Sequence, residues 1–257
     1  MHPLRLSLLA LLLLAVLGMS QNAEAEEVYL ELVGNYNTDV NAVDVTISGN
    51  YAYFADDGDY GLVIINIEDP ENPTLAGNYS TGNYPSTVTI SGNYAYVGED
   101  NNGELIIVSI EDPENPTFVG SYNCNDTVTE VIISGDYAYI TGYRNGLFIV
   151  NIEDPENPTL VGSYETDTAN DVTISGNYAY IASGTIGLVI INIEDPESPT
   201  FVGKVENGVS DNAKGVTILG TYAYIADFHK LVIVNIEDPE NPTLVGSYDT
   251  ESANDVA

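Results

Sequence analysis

Residues 67–74 read Ile-Glu-Asp-Pro-Glu-Asn-Pro-Thr, and nearly the same eight residues occur five times in the chain. The later copies begin at Ile110, Ile152, Ile193 and Ile236, and the fourth carries Ser198 where the others have Asn. The proline after each aspartate recurs every 41 to 43 residues. Self-similarity at this period is typical of a repeat architecture. The chain is therefore predicted to be built from copies of one structural unit.

The composition of this segment predicts a turn. Proline fixes φ near the value that the second position of a turn requires, and Asp and Asn side chains hydrogen-bond to nearby backbone groups. Ten of the twelve prolines fall in these five segments. The remaining sequence is therefore almost free of the residue that would delete a ladder hydrogen bond inside a strand.

Four strand-like pieces surround each turn, as the first copy illustrates with Val45–Gly49, Tyr51–Phe54, Leu62–Ile65 and Thr74–Tyr79. A two-residue Gly-Asn link between the first two pieces predicts a tight hairpin. The third piece is continuously apolar, which is typical of a strand that is buried on both faces. Each unit is therefore predicted to be a four-stranded antiparallel sheet that is covered on both sides.

Sheets that are covered on both sides and repeat every 42 or so residues indicate blades packed around an axis. The predicted fold class is an all-β propeller of four-stranded antiparallel blades. A sandwich would leave one face of each strand wet, and a parallel β-helix would repeat at a shorter period. Both alternatives are disfavoured by the pattern.

Five blades are predicted to be complete, and parts of a sixth are present. Residues 32–36 resemble an outermost strand with no blade before it, and residues 254–257 begin an innermost strand. Roughly 20 to 25 further residues would supply the two missing middle strands, as judged from the repeat length. We therefore expect the chain to be incomplete at its C-terminus, and a closed ring of five blades would contradict this hypothesis.

The run Leu231–Ile236, followed by Asp238–Tyr248, closely resembles the LVIVD repeat, and the resemblance covers the chain from about Leu30 onward. It implies a β-propeller and a secreted or cell-surface protein of bacteria or archaea, of a kind that mostly lacks an assigned activity. This sequence departs from the repeat at the fifth position of the L-V-I-V-D motif, where the repeat has Asp. Asn occurs there in four copies and Ser in the second, at Asn66, Ser109, Asn151, Asn192 and Asn235.

Residues 1–25 read as a secretory signal peptide. Arg5 precedes an apolar run over residues 6–17, and Ala23-Glu24-Ala25 fits a small-residue cleavage site. The apolar run is too short to span a bilayer as a helix. The predicted organisation is a signal peptide over 1–25 and a propeller over 26–257, in a protein that is secreted or held at the cell surface and does not span the membrane.

The net charge of −34 argues against nucleic acid as a partner, because phosphate binding requires a positive surface. The charge is compatible with a solvated acidic surface, a basic partner, divalent cations or a salty habitat. Cys124 is the single cysteine, so an intramolecular disulfide is excluded. Packing must therefore provide the stability.

Candidate ligand-binding residues lie in the loops opposite the proline turns, where the copies differ most. One position, directly before each innermost strand, is expected to surround the pore mouth. Its occupants are Asp44, Thr87, Glu130, Asp171, Gly215 and Asp255. Carboxylates there could bind a cation or a basic ligand, or they could cap nearby backbone. Tyr60, Tyr84 and Tyr143 occupy variable loops and could stack on a saccharide.

A calcium site is a second candidate, because Asp56, Asp57 and Asp59 resemble part of a calcium loop. The segment lacks the spacing and the terminal Glu of an EF-hand. A hairpin turn rich in Gly and Asp explains the same residues. No cofactor other than possible Ca²⁺ is expected.

Catalysis is disfavoured, since the only histidine after the signal segment is His229 and no G-x-S-x-G motif occurs. The predicted function is a non-catalytic binding or adhesion scaffold for an extracellular protein or polysaccharide. One alternative is a cation-stabilised structural spacer in an extracellular layer. Another is a glycoside hydrolase or lyase, which would need Glu130 and Asp171 to face each other across an open cleft.

Overall fold

The structure is a computed structural model, and it describes residues 32–36, 41–57, 61–205 and 212–256. Within these residues the regular structure consists of nineteen β-strands, with no helix. The predicted all-β fold is therefore confirmed. The predicted signal segment, Asp59 and Tyr60 lie outside the described residues.

Blades one to four each contain four strands that pair antiparallel in chain order. Blade one contains β1 (Ala42–Ser48), β2 (Tyr51–Asp56), β3 (Gly61–Asn66) and β4 (Thr74–Tyr79). Blade two contains β5 (Pro85–Ser91), β6 (Tyr94–Glu99), β7 (Glu104–Ser109) and β8 (Thr117–Asn123). Blade three contains β9 (Val128–Ser134), β10 (Tyr137–Gly142), β11 (Gly146–Asn151) and β12 (Thr159–Tyr164). Blade four contains β13 (Asp171–Ser175), β14 (Tyr178–Ser183), β15 (Gly187–Asn192) and β16 (Thr200–Val205).

Blade five has the same four segments, although two of them join into one strand. It contains β17 (Ala213–Leu219), β18 (Tyr222–Asn235) and β19 (Thr243–Ala253). The first half of β18 pairs with β17 and the second half with β19. The Ile236 N–H donates to the Thr221 carbonyl at 2.9 Å, which matches the bond from Ile193 to Asn177 in blade four. The hairpin of the earlier blades is therefore retained.

The hydrophobic core is divided into four clusters, one between each pair of consecutive blades. Between blades one and two, Tyr53, Leu62 and Ile64 on one side meet apolar residues such as Val88 and Val97 on the other. We call the side of a blade that faces the next blade its rear flank, and the side that faces the preceding blade its front flank. The third strand contributes to both flanks, which explains its continuous apolar sequence.

The first strands of the blades lie next to one another around the axis, and each packs on the next from β1 to β17. No comparable packing joins β17 to β1. Ile47 of β1 is 68% exposed, whereas the equivalent Ile90 in blade two is half-buried. The described strands therefore do not form a closed five-bladed ring, as the sequence predicts.

Parts of a sixth blade occupy the two edges of this arrangement. Gly34 lies against the carbonyl oxygen of Pro70 in blade one. Gly77, in the fourth strand of blade one, lies in the same way against Pro113 of blade two. Residues 32–36 therefore occupy the place of an outermost strand that precedes blade one, although they form no ladder.

The glycine in the fourth strand has a packing role that the sequence analysis missed. A Cβ atom at this position would collide with the carbonyl oxygen of the proline in the next blade. The contact recurs at Gly77, Gly120, Gly162 and Gly203. The proline turn of each blade is therefore seated on the outer strand of the blade before it.

Side-chain hydrogen bonds fix the proline turns. The side-chain oxygen of Asn66, Oδ1, accepts from the Glu68 N–H at 2.8 Å. Asp69 accepts from the Glu71 N–H at 3.1 Å and from the Asn72 amide at 3.0 Å, and these bonds lower the pKa of Asp69. Asn in place of the Asp of the LVIVD motif therefore still supplies the oxygen that the turn requires.

Candidate functional site

A β-bulge at the start of the innermost strands shapes the pore mouth. The register of β1 against β2 shifts between Ala42 and Asp44, and that of β5 against β6 shifts between Pro85 and Thr87. A bulge leaves one residue unpaired and redirects its side chain. Ser86 and Thr129 are the bulged residues of blades two and three, and Asn170 directly precedes β13 in blade four.

These redirected side chains tie each blade to the next. Ser86 Oγ donates to the Val128 carbonyl at 2.7 Å, and Thr129 Oγ1 donates to the Ala169 carbonyl at 2.8 Å. Asn170 Nδ2 donates to the Ala213 carbonyl at 2.6 Å. Each acceptor belongs to the following repeat, so this series of bonds holds the inner ends of neighbouring blades in register.

The predicted ring position lies one residue further along. Asp44 accepts from its own neighbour Val45 N at 2.7 Å and from Val88 N of the next blade at 2.8 Å. Asp171 accepts in the same way from Val172 N at 2.7 Å and Val216 N at 2.6 Å. Both oxygens of each carboxylate are therefore bonded to backbone N–H groups, which favours the backbone-capping interpretation of these residues.

Thr87 and Glu130 make a different connection between blades two and three. Thr87 Oγ1 lies 3.1 Å from Asp44 Oδ2 and 2.9 Å from Glu130 Oε1. The Thr87 hydroxyl is within donor distance of both carboxyl groups, and its single proton can be donated to one of them at a time. Thr87 therefore links the ring residues of blades one and three.

Burial raises the pKa values of two ring carboxyl groups, Glu130 and Asp171. Burial raises the pKa of Glu130 to about 8, and the nearby charges of Asp171 and Asp44 act in the same direction. Burial likewise raises the pKa of Asp171 to about 7, with Asp255 and Asp44 adding to the effect and the N–H groups of Val216 and Val172 opposing it. Hydrogen bonds from Val131 N and the Thr87 hydroxyl oppose the increase for Glu130, which is mostly protonated at neutral pH.

The ring continues to Asp255. Its carboxylate accepts from Val256 N at 2.7 Å, and it lies beside Gly215 of blade five. The hydrogen bonds and the mutual electrostatic effects place Asp44, Thr87, Glu130, Asp171 and Asp255 close to one another at the start of the innermost strands. Their role in ligand binding stays a prediction. Glu130 and Asp171 occupy adjacent ring positions of blades three and four, whereas the hydrolase hypothesis needs them on opposite sides of a cleft.

A shallow depression lies between blades one and two on the same face. It has a volume of about 470 Å³ and is lined by Val43, Asp57, Tyr84, Pro85, Ser86, Asp100 and Asn101. Tyr84 is 53% exposed, and its carbonyl accepts from Asp100 N at 2.9 Å. The structure thus brings together two of the predicted residues, Tyr84 and Asp57, and adds Asp100 and Asn101, which the sequence analysis did not single out.

Tyr143 belongs to the next blade and does not line this depression. It is 46% exposed, and its N–H donates to the Thr127 carbonyl at 2.9 Å. This bond is the equivalent of that between Asp100 and Tyr84 one blade earlier. Tyr143 is therefore the equivalent of Asp100 in blade two, and not of Tyr84.

A second depression lies at the opposite ends of blades two and three. Its volume is about 350 Å³, and the tight turns at Gly92-Asn93 and Gly135-Asp136 line it together with Tyr94. These turns are nearly the same in every copy. The loops at the pore-mouth end differ between blades, so that end has the greater capacity for selective binding.

Of the predicted calcium residues, the structure describes Asp56 and Asp57, and these two differ in burial. Asp56 is buried at the end of β2, whereas Asp57 lies half-buried with its carboxylate 3.5 Å from the Asn41 amide nitrogen. Among the described residues, no group of three His, Cys, Asp or Glu side chains is arranged to hold a metal ion. The calcium site, which would involve Asp59 as well, stays a prediction.

Buried carboxylates at the end of the second strand anchor the pore-mouth loops, and the sequence analysis missed this role. Asp227 accepts from Asn212 N at 2.9 Å, and Glu99 accepts from the Asn83 amide at 3.2 Å. Burial raises the pKa of Glu99. The acidic residue that closes this strand in blades one, two and five was the available signal.

Cys124 and His229, the two remaining side chains with nucleophilic or acid–base chemistry that the sequence analysis considered, belong to different blades. Cys124 is buried, and burial together with Asp126 and Glu104 raises the pKa of its thiol to about 12. A thiol of this kind is unreactive, because the thiolate is the nucleophile. His229 is exposed, and its Nδ1 lies 3.4 Å from the Glu251 carbonyl oxygen.

Comparison with known families agrees with the residues quoted above. The model of the LVIVD repeat matches five consecutive segments, residues 40–81, 83–124, 127–166, 168–207 and 210–250. The chain belongs to the LVIVD repeat family. Each matched segment of this LVIVD-repeat protein spans one described blade. No curated protein matches the sequence significantly.

Solved structures share the fold of this LVIVD-repeat protein at low sequence identity. A functionally unknown protein from Desulfotomaculum acetoxidans has a TM-score of 0.71 and 16% identity, with 86% of this chain and 75% of that chain covered. The periplasmic gluconolactonase PpgL of Pseudomonas aeruginosa has a TM-score of 0.71 and 14% identity, with coverage of 84% and 72%. The β-propeller domain of Myceliophteria thermophila Cps50 (Swd1) has a TM-score of 0.63 and 12% identity, with coverage of 81% and 73%.

These likenesses concern the propeller fold. The part of the chain that the structure describes also contains no helix with the length and apolar character of a membrane span.

Proposed function

We propose that this LVIVD-repeat propeller is a non-catalytic binding module, exported to the cell surface or beyond, that holds an extracellular polysaccharide or protein at its pore-mouth end. The proposal rests on the depression between blades one and two. An exposed tyrosine, two carboxylates and an amide line it, and each of these residues lies within two positions of a strand end.

The chemistry of the depression favours a sugar chain with hydrogen-donating substituents. Tyr84 offers an aromatic face for the apolar side of a sugar ring. Asp57 and Asp100 offer acceptors for hydroxyl or ammonium groups. Because the chain has a net charge of −34, an anionic polysaccharide would be repelled. An amino-sugar polymer is therefore the best-matched class of ligand.

Catalysis by the ring carboxylates has less support. Both oxygens of Asp171 are occupied by backbone N–H groups, and Glu130 bonds Thr87 and Val131 N. The Pseudomonas aeruginosa structure carries the name gluconolactonase, but the likeness extends to the fold alone. A binding role needs none of the ring carboxylates to be free.

The test is calorimetric titration of the purified protein with chitosan hexamer, its fully N-acetylated form and cellohexaose. We expect the chitosan hexamer to bind most tightly, and Tyr84→Ala to weaken its binding at least tenfold, which corresponds to about 1.4 kcal/mol. Tyr222→Ala is the matched control, because Tyr222 is also exposed but starts the second strand of blade five at the other end. Equal loss in both variants, or no binding of any hexamer, would contradict the site.

Export is tested separately by expressing the full chain with its residues 1–25 intact. We expect the mature protein to begin near Glu26 and to be found outside the cytoplasm, as N-terminal sequencing and fractionation would detect. An unprocessed cytoplasmic protein would contradict this part of the proposal.

The calcium prediction has its own test. If Asp56, Asp57 and Asp59 bind the ion, Ca²⁺ will raise the melting temperature relative to EDTA, and Asp57→Asn will remove that increase. An identical response in the variant would place any calcium effect elsewhere on the acidic surface.

A further inference from the structure

The second depression, between the hairpin turns of blades two and three, is lined by two tyrosines of one strand. We call it the turn-end depression. Tyr94 and Tyr96 both belong to β6, and their ring centroids lie 6.5 Å apart with the ring planes at 67°. Tyr94 is half-buried, so part of its ring is open to the depression. The volume of about 350 Å³ lies at the lower end of the range for ligand sites, which suits a single side chain.

Tyr96 supplies a polar atom that the protein itself leaves unused. Its side chain is only 4% exposed, yet it lines the turn-end depression. Within the part of the chain that the structure describes, the Tyr96 hydroxyl has no hydrogen-bond partner, and it is not among the polar atoms sealed from the surface. A buried tyrosine hydroxyl usually has a partner. The opening of this hydroxyl to the depression therefore points to a polar group from outside the chain.

Two carboxylates complete the lining. Asp136 lies in the hairpin turn of blade three, and Glu153 lies just after β11. Both side chains are exposed, and among the described residues none forms a hydrogen bond or an ion pair with either carboxylate. The neighbouring Asp154 is different, because it accepts from the Asn157 amide at 3.0 Å and holds the proline turn. Asp136 and Glu153 therefore keep their full capacity to accept hydrogen bonds.

Asp136 distinguishes the turn-end depression from the equivalent positions between other blades. The second residue of the hairpin turn is, in blades one to five, Asn50, Asn93, Asp136, Asn177 and Thr221. The other lining residues recur, for example as Tyr137, Tyr139 and Glu194 between blades three and four. Only the position between blades two and three therefore combines the tyrosine pair with a carboxylate from each of two turns.

Positive charge is absent from this end of the described blades. The Lys and Arg residues that the structure describes all lie at the pore-mouth end, at Arg144, Lys204, Lys214 and Lys230. Each proline turn at the opposite end adds carboxylates, as Glu153, Asp154 and Glu156 do in blade three. A cation that approaches the turn-end depression therefore meets attraction without a nearby repelling charge.

We propose that the turn-end depression binds the guanidinium group of an arginine side chain of a partner protein. The planar group stacks on Tyr94 and donates to the Tyr96 hydroxyl. Asp136 and Glu153 accept from its remaining N–H groups and supply the opposite charge. A guanidinium matches this lining better than an ammonium group, because it carries five donors in a rigid plane, is less strongly hydrated and stacks on aromatic rings. The protein then has a binding site at each end of the blades.

The test is an NMR titration of the purified protein with acetyl-Gly-Arg-Gly-amide at physiological ionic strength. The matched peptides carry lysine, the second cation, or citrulline, the neutral analogue of arginine. We expect the arginine peptide to cause saturable shifts of the backbone amides of Asn93, Asp136 and Glu153, the lysine peptide to bind more weakly, and the citrulline peptide to have no effect. Shifts spread evenly over the acidic surface, or equal affinity for arginine and lysine, would overturn the proposal.

A charge-matched pair of variants separates the site from the general acidity of the chain. Asp136→Asn should weaken binding of the arginine peptide about three- to fivefold, which is the upper part of the range for an exposed ion pair. Asp167→Asn removes the same charge from an exposed loop at the pore-mouth end and should leave the affinity unchanged. Equal losses would assign the binding to net charge and contradict the site.

The hydroxyl is tested without disturbing the packing of the rings. Tyr96→Phe keeps the ring and removes the hydroxyl, so we expect severalfold weaker binding of the arginine peptide. Tyr53→Phe is the matched control, because Tyr53 is the equivalent residue of blade one and is 3% exposed. The same affinity in both variants would show that the hydroxyl takes no part and would refute the arrangement.

A gain of function is the sharpest test. Asn177→Asp places the acidic turn residue between blades three and four, so we expect a second set of shifting amides there, at Asn177→Asp itself and at Glu194. Without a second set, Asp136 does not determine the site and the proposal fails. Tyr84→Ala, in the depression at the pore-mouth end, should leave the affinity for the arginine peptide unchanged. Tighter binding of spermidine than of the arginine peptide would identify a small polyamine as the ligand and overturn the proposal.

Discussion

Neighbouring blades of this propeller are joined in two chemically different ways. Away from the axis, each pair is joined by a dry cluster of aliphatic side chains and tyrosine, as at Leu188 and Ile190. At the axis, the same pairs are joined by carboxylates and hydroxyls that bond to backbone groups of the next blade, as at Asp171. The aliphatic joint contains no group that titrates near neutral pH, whereas the joint at the axis contains Glu130 and Asp171, whose pKa values are raised to about 8 and about 7.

The two kinds of joint make different contributions: the aliphatic joint mainly stabilises the fold, and the polar joint mainly sets the alignment of neighbouring blades. Apolar burial supplies most of the favourable free energy but is not directional. Hydrogen bonds between Asp171 and Val216 N, or between Asn170 and the Ala213 carbonyl, add less free energy and permit only one alignment of the two blades. Each prediction below changes one of these two kinds of joint, and the expected effects decrease in order.

The largest effect is expected from the aliphatic joint. Ile190→Ala should lower the free energy of unfolding by about 2–5 kcal/mol, because Ile190 is fully buried between blades four and five. Ile233→Ala is the matched control at the same place in blade five, where the side chain is half-buried, and its cost should be smaller. Urea titration measures both, and a greater loss for Ile233→Ala would refute the contrast between the flanks.

A smaller effect is expected from the polar joint. Asp171→Asn leaves one carbonyl oxygen for two N–H donors, Val172 and Val216, so one N–H loses its partner. We expect a loss of about 1–3 kcal/mol at pH 5, where Asp171 is mostly protonated and the substitution changes no charge, from the cost of an unsatisfied buried group. Asp255→Asn is the control, since its carboxylate has a single backbone bond, to Val256 N. Equal losses would argue against the bridge between blades.

The sequence predicts the joints of this molecule unequally. The aliphatic joint follows from patterns within one repeat: a continuous apolar third strand must be covered twice, whichever blade covers it. The ring position was also predictable, since Asp44, Glu130 and Asp171 occupy the same place in each copy. Its bonding was not, because Val88 N lies 44 residues from Asp44 and Val216 N lies 45 residues from Asp171.

Gly77 and its equivalents show a signal that was present and overlooked. A glycine inside a strand indicates close approach of another backbone, and here it recurs in every copy. Glu99 and Asp227 show a weaker signal. An acidic residue closes the second strand in blades one, two and five, but the chain has 39 acidic residues, and their number hides which of them is buried and anchors a loop.

The titrating joint predicts a pH dependence of stability. The folded-state pKa values of Glu130 and Asp171, about 8 and about 7, lie above their ordinary values of 4.5 and 3.8. A carboxyl group with a raised folded-state pKa contributes its stabilisation fully below its ordinary pKa and loses it as the pH rises through the folded-state value. The melting temperature should therefore decline between about pH 4 and pH 8 and level off above that range.

The substitution Glu130→Gln isolates the part of this pH dependence that comes from Glu130. The amide cannot ionise, and its Oε1 can accept from both Val131 N and the Thr87 hydroxyl, as Glu130 Oε1 does, so the variant should melt above the natural protein at pH 9 and equal it at pH 4. Glu114→Gln, on an exposed proline turn, is the control for the loss of one negative charge. The same gain at pH 9 in both variants would attribute the effect to net charge.

The smallest effect is expected at the one proline turn that departs from the others. In four copies an Asn amide donates to the turn aspartate, as from Asn157 to Asp154 at 3.0 Å, and Ser198 takes the place of this Asn beside Asp195. Ser198→Asn should restore that bond and raise the free energy of unfolding by about 0.5 kcal/mol, the low end for a single hydrogen bond. Asn157→Ser should cost a similar amount, as urea titration can measure. Because neither change touches the flanks or the ring, both effects should persist from pH 5 to pH 9, and a gain that vanished at pH 9 would mean that the turns are coupled to the ring.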